Sequence, residues 1–274
     1  MKNLSHVGLV FYGTAIAGMG ILTIIDRDFP YMFIPPKHGW IPAFAMIIAG
    51  LGLVLAGTCI VFAIRGRAMA LFLGAILFLV FCFYHVPYEF IAGSNYSEFG
   101  VWENAFKELA LASGAFVVAG CFGETGKNGL IRFLTGLIPY GAIGFGITII
   151  SFGIDHFLYA KEAADYVPVW IPYHIFWIYF CGVALLGSGI AIILRMRVKW
   201  AAVLLGSMIL IWFIILHIPR VIVSYTMSPD FGDVSGEIAS ALLALAYGGI
   251  AFVIAGAAGK KQNVSDRAEG VVEK

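Results

Sequence analysis

Two of the six histidines in this 274-residue chain stand in the same local setting. His85-Val86-Pro87 and His217-Ile218-Pro219 each place an imidazole two residues before a proline, near the end of an apolar run. Proline lacks an N–H and leaves a carbonyl free one turn back. An imidazole there can hydrogen-bond a ligand carbonyl, and a pair on different helices can ligate a haem iron. Haem needs histidines that face each other, and nothing in the sequence sets these two so. A quinone or lipid headgroup is therefore better supported than haem, and the alternative to any ligand is that both are interfacial structural histidines. Asp155-His156 is the next candidate, because a carboxylate beside an imidazole can move a proton or hold a polar headgroup. Adjacent helical residues diverge by about 100°, so the two need not act on one another. His174 is a further candidate without a counterpart. No HExxH, GxSxG, Walker loop or coordinating run of acids is present, so no catalytic residue and no metal ligand is assigned.

Long apolar elements must position these groups. The chain is 61% hydrophobic and 12% charged, with a mean hydropathy of +0.94. A soluble domain carries about a quarter charged residues, so the composition reads as an all-α polytopic membrane protein. Runs of about 20 apolar residues cross the bilayer as helices. Eight are expected, at 7–25, 40–64, 68–90, 103–122, 133–157, 170–194, 200–223 and 235–258. The first lacks a small-residue cleavage site and reads as a retained helix. Cys59, Cys82, Cys121 and Cys181 all sit in apolar runs without a CxxC pair, as packing residues do.

The same words recur in both halves. Trp40-Ile41-Pro42 and Trp170-Ile171-Pro172 stand 130 residues apart, as do Arg65 and Arg195. At that spacing Gly52 falls on Gly182, Leu55 on Leu185, Gly57 on Gly187 and Ile60 on Ile190. Further along, the histidine–proline words are 132 apart, and Gly114-Ala115-Phe116-Val117 answers Ile250-Ala251-Phe252-Val253 at 136. The chain reads as a tandem duplication: residues 1–126 form one four-helix repeat and 127–258 a second, lying the same way up. A polar tail at 259–274 is expected to be disordered. Trp40 and Trp170 suit headgroup depth, and Pro42 and Pro172 suit first turns of helices.

Basic residues in the loops set the orientation. Lys2, Arg65, Arg67, Lys127, Arg132, Arg195, Arg197, Lys199 and the basic tail fall on one side; Arg27, Lys37 and Lys161 fall on the other. Both termini are expected in the cytoplasm, in a cell inner membrane, with the candidate histidines towards the outer face. A net charge of +1 offers nothing to a nucleic acid.

Three stretches carry a family resemblance: Gly153-Ile154-Asp155-His156-Phe157, then Val167-Pro168-Val169-Trp170-Ile171-Pro172, then the glycine-bearing helix ending at Arg195. Together they resemble the DoxX/DoxX-like membrane proteins, four-helix units related to a membrane subunit of a thiosulfate:quinone oxidoreductase. The resemblance implies a membrane subunit of a quinone-linked redox system, partnered by the bilayer and another redox subunit. It points to Asp155, His156 and Trp170 as site residues, to which the histidine pairs add His85, His217, His174 and, by repetition, Trp40. The alternative is a non-enzymatic scaffold, or a protein that binds or transports a lipid or small solute.

Overall fold

A computed structural model describes residues 2–34, 41–91, 96–123, 129–227 and 231–272, with side chains from Asn3 to Gly259 except near those breaks. Among the described residues the regular structure is helical. The order is α1 (Lys2–Asp26), α2 (Ala43–Val61), α3 (Gly66–Val80), α4 (Val86–Ile91), α5 (Glu103–Ala119), α6 (Gly129–Thr135), α7 (Ile138–Leu158), α8 (Ala160–Ala164), α9 (His174–Ile193), α10 (Val198–Trp212), α11 (Ile218–Met227) and α12 (Phe231–Val272). Seven stretches are long and apolar enough to cross a membrane: Asn3–Asp26, Ala43–Val61, Gly66–Ile91, Ile138–Leu158, His174–Ile193, Val198–Thr226 and Val234–Gly259. The last helix continues to Val272, so the polar segment after Gly259 has helical backbone.

The remaining expected span is α5, which has 17 residues and carries Glu103, Lys107 and Glu108. It needs no lipid-facing side, because α3, α7 and α12 surround it and most of its residues are buried. Helices α1 and α12 run antiparallel along their length. Gly256 meets Ser5 at one end, Gly8 and Gly249 meet in the middle, and the Ser235 hydroxyl donates to Asp26 at the other. Both ends of the apolar chain therefore lie at one end of the bundle. The opposite end is called distal below.

Two landmarks recur at a common spacing. A π-helical turn at Phe81–His85 joins α3 to α4, and another at Phe213–His217 joins α10 to α11. Pro87 and Pro219 follow each turn and have no N–H to donate; just before them Val86 N–H donates to the Phe81 carbonyl and Ile218 N–H to the Phe213 carbonyl, five residues back. Left-handed backbone occurs at Ala63 and Arg65, and again at Arg195 and Arg197. Each pair makes the tight link between consecutive helices. Both landmarks are 132 residues apart.

This corrects the 130-residue register for the second and sixth expected spans. On α2 the buried residues are Met46, Gly50, Leu53, Ala56, Gly57 and Ile60; on α9 they are Ile178, Cys181, Gly182, Leu185, Gly189 and Ile192. At 132 all but Ala56 and Cys181 fall on one another. At 130, Leu55 (57% exposed) would fall on Leu185 (6%), and Ile60 (1%) on Ile190 (47%). The physical reason lies in the glycines. Gly57 abuts the Gly13 carbonyl and Gly189 abuts the Gly146 carbonyl, whereas Gly52 and Gly187 face open space.

Candidate functional site

The distal end encloses a cavity of about 1360 Å³. It is walled by the end of α1, the start of α5, the end of α7, α8, α9, the π turn before α11, and the start of α12. Its deeper lining is apolar, with Ile149, Leu185, Ile209 and Leu243, while aromatic rings from Phe152, Tyr166, Trp212 and Tyr247 form part of the walls. Helix ends converge there, so charged residues that would be costly midway along a membrane-length helix sit near where helices begin or stop.

Six carboxylates line this space, those of Asp26, Asp28, Glu103, Asp155, Glu162 and Glu237, against two permanent cations, Lys107 and Arg220. Both cations are already engaged. Lys107 Nζ lies 2.6 Å from Glu103 Oε1, one turn earlier on α5. Arg220 pairs with Glu237 through two N–H groups, with Nε 2.9 Å from Oε2, and its guanidinium lies 4.5 Å from the centre of the Tyr166 ring. Asp155 stands in the last turn of α7, beside the Glu103–Lys107 pair, and its buried Oδ1 has no hydrogen-bond partner. Asp26, Asp155 and Glu162 have no paired cation among the described residues, and carboxylates so placed in an aromatic-walled cavity attract a cation with an apolar body.

His156 and His217 also line the cavity. His156 Nδ1–H donates to the Phe152 carbonyl at 2.7 Å, which leaves Nε2 of the neutral ring as an acceptor. His217 ends the second π turn, with its Nδ1 buried and unpartnered. Trp212 Nε1–H donates to Cys181 Sγ at 3.0 Å, fixing one aromatic wall. Across the mouth the Gly100 N–H donates to the Tyr159 hydroxyl at 3.0 Å, tying the turn before α5 to the start of α8.

Other sequence-nominated residues lie elsewhere. His85 is wholly buried and outside the cavity, and its Nε2 donates to the Met32 carbonyl at 3.0 Å and the Phe33 carbonyl at 3.3 Å. It pins the link after α1 over the first π turn. The two histidines of the repeated word therefore do different things: one holds a loop, and the other faces the cavity. Replacing His85 with alanine is expected to cost roughly 1–2 kcal/mol through the orphaned carbonyls and to speed tryptic cleavage after Arg27. Cleavage at the wild-type rate would rule out the pin. His174 begins α9 away from the cavity lining, and Trp170 is 68% exposed ahead of it. Trp40 lies outside the described residues.

Reading the sequence missed Asp26, Lys107, Arg220, Glu237 and Tyr247 as members of one site. Their signal was weak but present, since each charge stands within two turns of a helix end. Among the described residues no group of three or more His, Cys, Asp or Glu side chains is arranged to hold a metal ion. No family model, curated protein or solved structure matches this chain.

Proposed function

We propose that the protein is a multi-pass membrane protein that binds, and moves across the bilayer, a small organic cation held in the distal cavity. The observation that carries this reading is the charge imbalance: Glu103 and Glu237 hold the two lining cations, while Asp26, Asp155 and Glu162 face the same apolar-floored space with no cation paired to them among the described residues. Asp155 is the anchor for the cation, because it lies beside a lysine already taken by Glu103 and keeps one buried oxygen unpartnered. Rings of Phe152, Trp212 and Tyr247 would surround the cation and its apolar body.

On this reading the chain crosses the membrane eight times as two parallel four-helix repeats, with α5 as the short central span. Equivalent packing supports it. Helix α1 on α2 is matched by α7 on α9, α3 on α5 by α10 on α12, and α1 on α12 by α7 on α5. Placing the basic links at Arg65–Arg67 and Arg195–Arg197 in the cytoplasm puts both termini there and turns the cavity outward, in a cell inner membrane.

A second reading follows from the DoxX-like resemblance: a quinone headgroup in the same cavity and a redox partner in the membrane. The aromatic walls favour it, although a quinone presents carbonyl acceptors to a site rich in acceptors, the free His156 Nε2 included. One titration separates the two. Phenyltrimethylammonium should raise the unfolding temperature of the purified protein, and its neutral isostere tert-butylbenzene should do so at least about tenfold less effectively. Asp155→Asn should weaken the cation about tenfold, since a unit charge at close range is worth several kcal/mol before desolvation. Equal binding of the cation and its isostere would sink the first reading. Binding of decylubiquinone unaffected by Asp155→Asn would establish the second.

A further inference from the structure

Below the cavity, α5 carries a carboxylate that this reading does not use. Glu108 is wholly buried, and neither of its carboxyl oxygens has a hydrogen-bond partner. Among the described residues it is the one acid with both oxygens orphaned. Packing alone does not call for it. At the 136-residue spacing that relates the Gly114–Val117 segment to Ile250–Val253, the matching position is Ala244. An ionised carboxylate at such a place, unpaired, is far more costly than the neutral carboxylic acid.

The surroundings connect Glu108 to the cavity. Tyr12 from α1 and Tyr247 from α12 lie within electrostatic reach of it. The Tyr12 hydroxyl is committed to the Leu111 carbonyl at 2.8 Å. Tyr247 is itself a cavity wall; its ring packs on Phe145 and Phe152, and its hydroxyl lies 3.4 Å from the Lys107 carbonyl. Along α5 the charges towards the cavity are Glu103 and Lys107, joined from α7 by Asp155. From α3 the titratable group is Arg67, which is held by the Phe122 carbonyl, and the π turn after α3 brings His85, which is held by Met32 and Phe33. No cation is thus committed to Glu108 among the described residues.

We propose that Glu108 is a proton-carrying site that exchanges its proton against the organic cation in the cavity. When the cation enters, its positive charge stabilises the Glu108 carboxylate, and the carboxyl O–H bond breaks. The proton passes by way of the Tyr247 side of the cavity to water, and the electron pair stays on the carboxylate oxygen. One positive charge enters as one leaves, so the protein becomes one unit more negative and the charge of the protein with its bound cation stays that of the empty protein. Exit of the cation reverses the step. The inference rests on the reading of the cavity as a cation site.

The test is proton release on binding. Full-length protein in detergent, weakly buffered with a pH-indicator dye, is titrated with phenyltrimethylammonium, which carries no titratable proton of its own. Wild type is expected to release one proton for each cation bound, and Glu108→Gln to bind the cation but release none. Glu108→Ala, which copies the alanine at the matching position, should behave like Glu108→Gln and covers the case in which the amide variant misfolds. In parallel, the infrared carboxylic-acid band of the wild type should bleach as the cation saturates and be missing from both variants. Binding without proton release, or release undiminished in the variants, overturns the proposal and leaves the cavity reading standing. No binding to wild type overturns both.

Discussion

Gly249→Val is expected to destabilise the purified protein more than any other single substitution considered, whereas Gly187→Val leaves its unfolding temperature unchanged. A Cβ on Gly249 would stand 2.7 Å from the Gly8 carbonyl oxygen and 2.8 Å from the Tyr12 amide nitrogen, both backbone atoms of α1. Neither can rotate away, so α1 and α12 must separate. That separation loosens the longest helix pair in the bundle, together with the Tyr12–Leu111 hydrogen bond beside it. Overpacking of this kind costs about 3 kcal/mol at the upper end of its usual range. In a bilayer the loss also includes close helix contact, which there replaces the hydrophobic effect as the drive for association. Gly187 has nothing within 4 Å of its would-be side chain. Thermal unfolding of both variants in the same detergent checks the contrast. Equal midpoints would mean that α1 and α12 are not packed as described.

Arg220→Ala is expected to lose stability and gain affinity for a cation at once. Its guanidinium holds Glu237 by two N–H groups and covers Tyr166, with the arginine side chain 34% and the glutamate side chain 21% exposed. Removing one partner of a fully buried pair costs about 3–5 kcal/mol. Partial exposure screens the charges, so roughly 1–3 kcal/mol is expected here. Glu237→Ala in the same chain should restore part of that loss, because no unpaired carboxylate then remains. Meanwhile Arg220→Ala alone frees a carboxylate at the cavity wall, and phenyltrimethylammonium should bind several-fold more tightly, an effect that falls with added salt. A variant that loses stability and weakens cation binding would argue that Arg220 itself holds the ligand, as an anionic or carbonyl-bearing occupant would require.

Much of the helical framework was legible because hydropathy and length are properties of the chain itself. Seven of the expected spans are long apolar helices, and the remaining one is α5, whose charges and 17-residue length mark it as different. The Glu103–Lys107 pair was readable too, since four residues apart on a helix means side by side. The site was legible only in part. Asp155 and His156 stood out as a charged word in an apolar chain, and His217 as half of a repeated one. Arg220 and its partner were not legible: Glu237 stands on the next helix, and which acid the guanidinium reaches depends on how α11 and α12 pack. Glu108 gave no signal beyond being an acid five residues into α5, where solvent, lipid and protein are equally allowed by sequence alone.

The repeated tryptophan–proline words say by themselves that two stretches of this chain are alike, and hydropathy says that both belong to membrane-length helices. Which residues correspond was decided only by tertiary structure. Apolar letters serve lipid and protein neighbours equally well, so a helix can be matched two residues out of register with no loss of apparent similarity. Glycines break that tie when a neighbouring backbone needs the space. Gly57 and Gly189 lie against carbonyls of α1 and α7, Gly52 and Gly187 lie against nothing, and the left-handed links at Ala63–Arg65 and Arg195–Arg197 agree on 132. The same holds for the two histidines before proline. Their words are alike, but a loop carbonyl claims His85 while an open cavity meets His217, because what surrounds a side chain is set by elements far away in sequence.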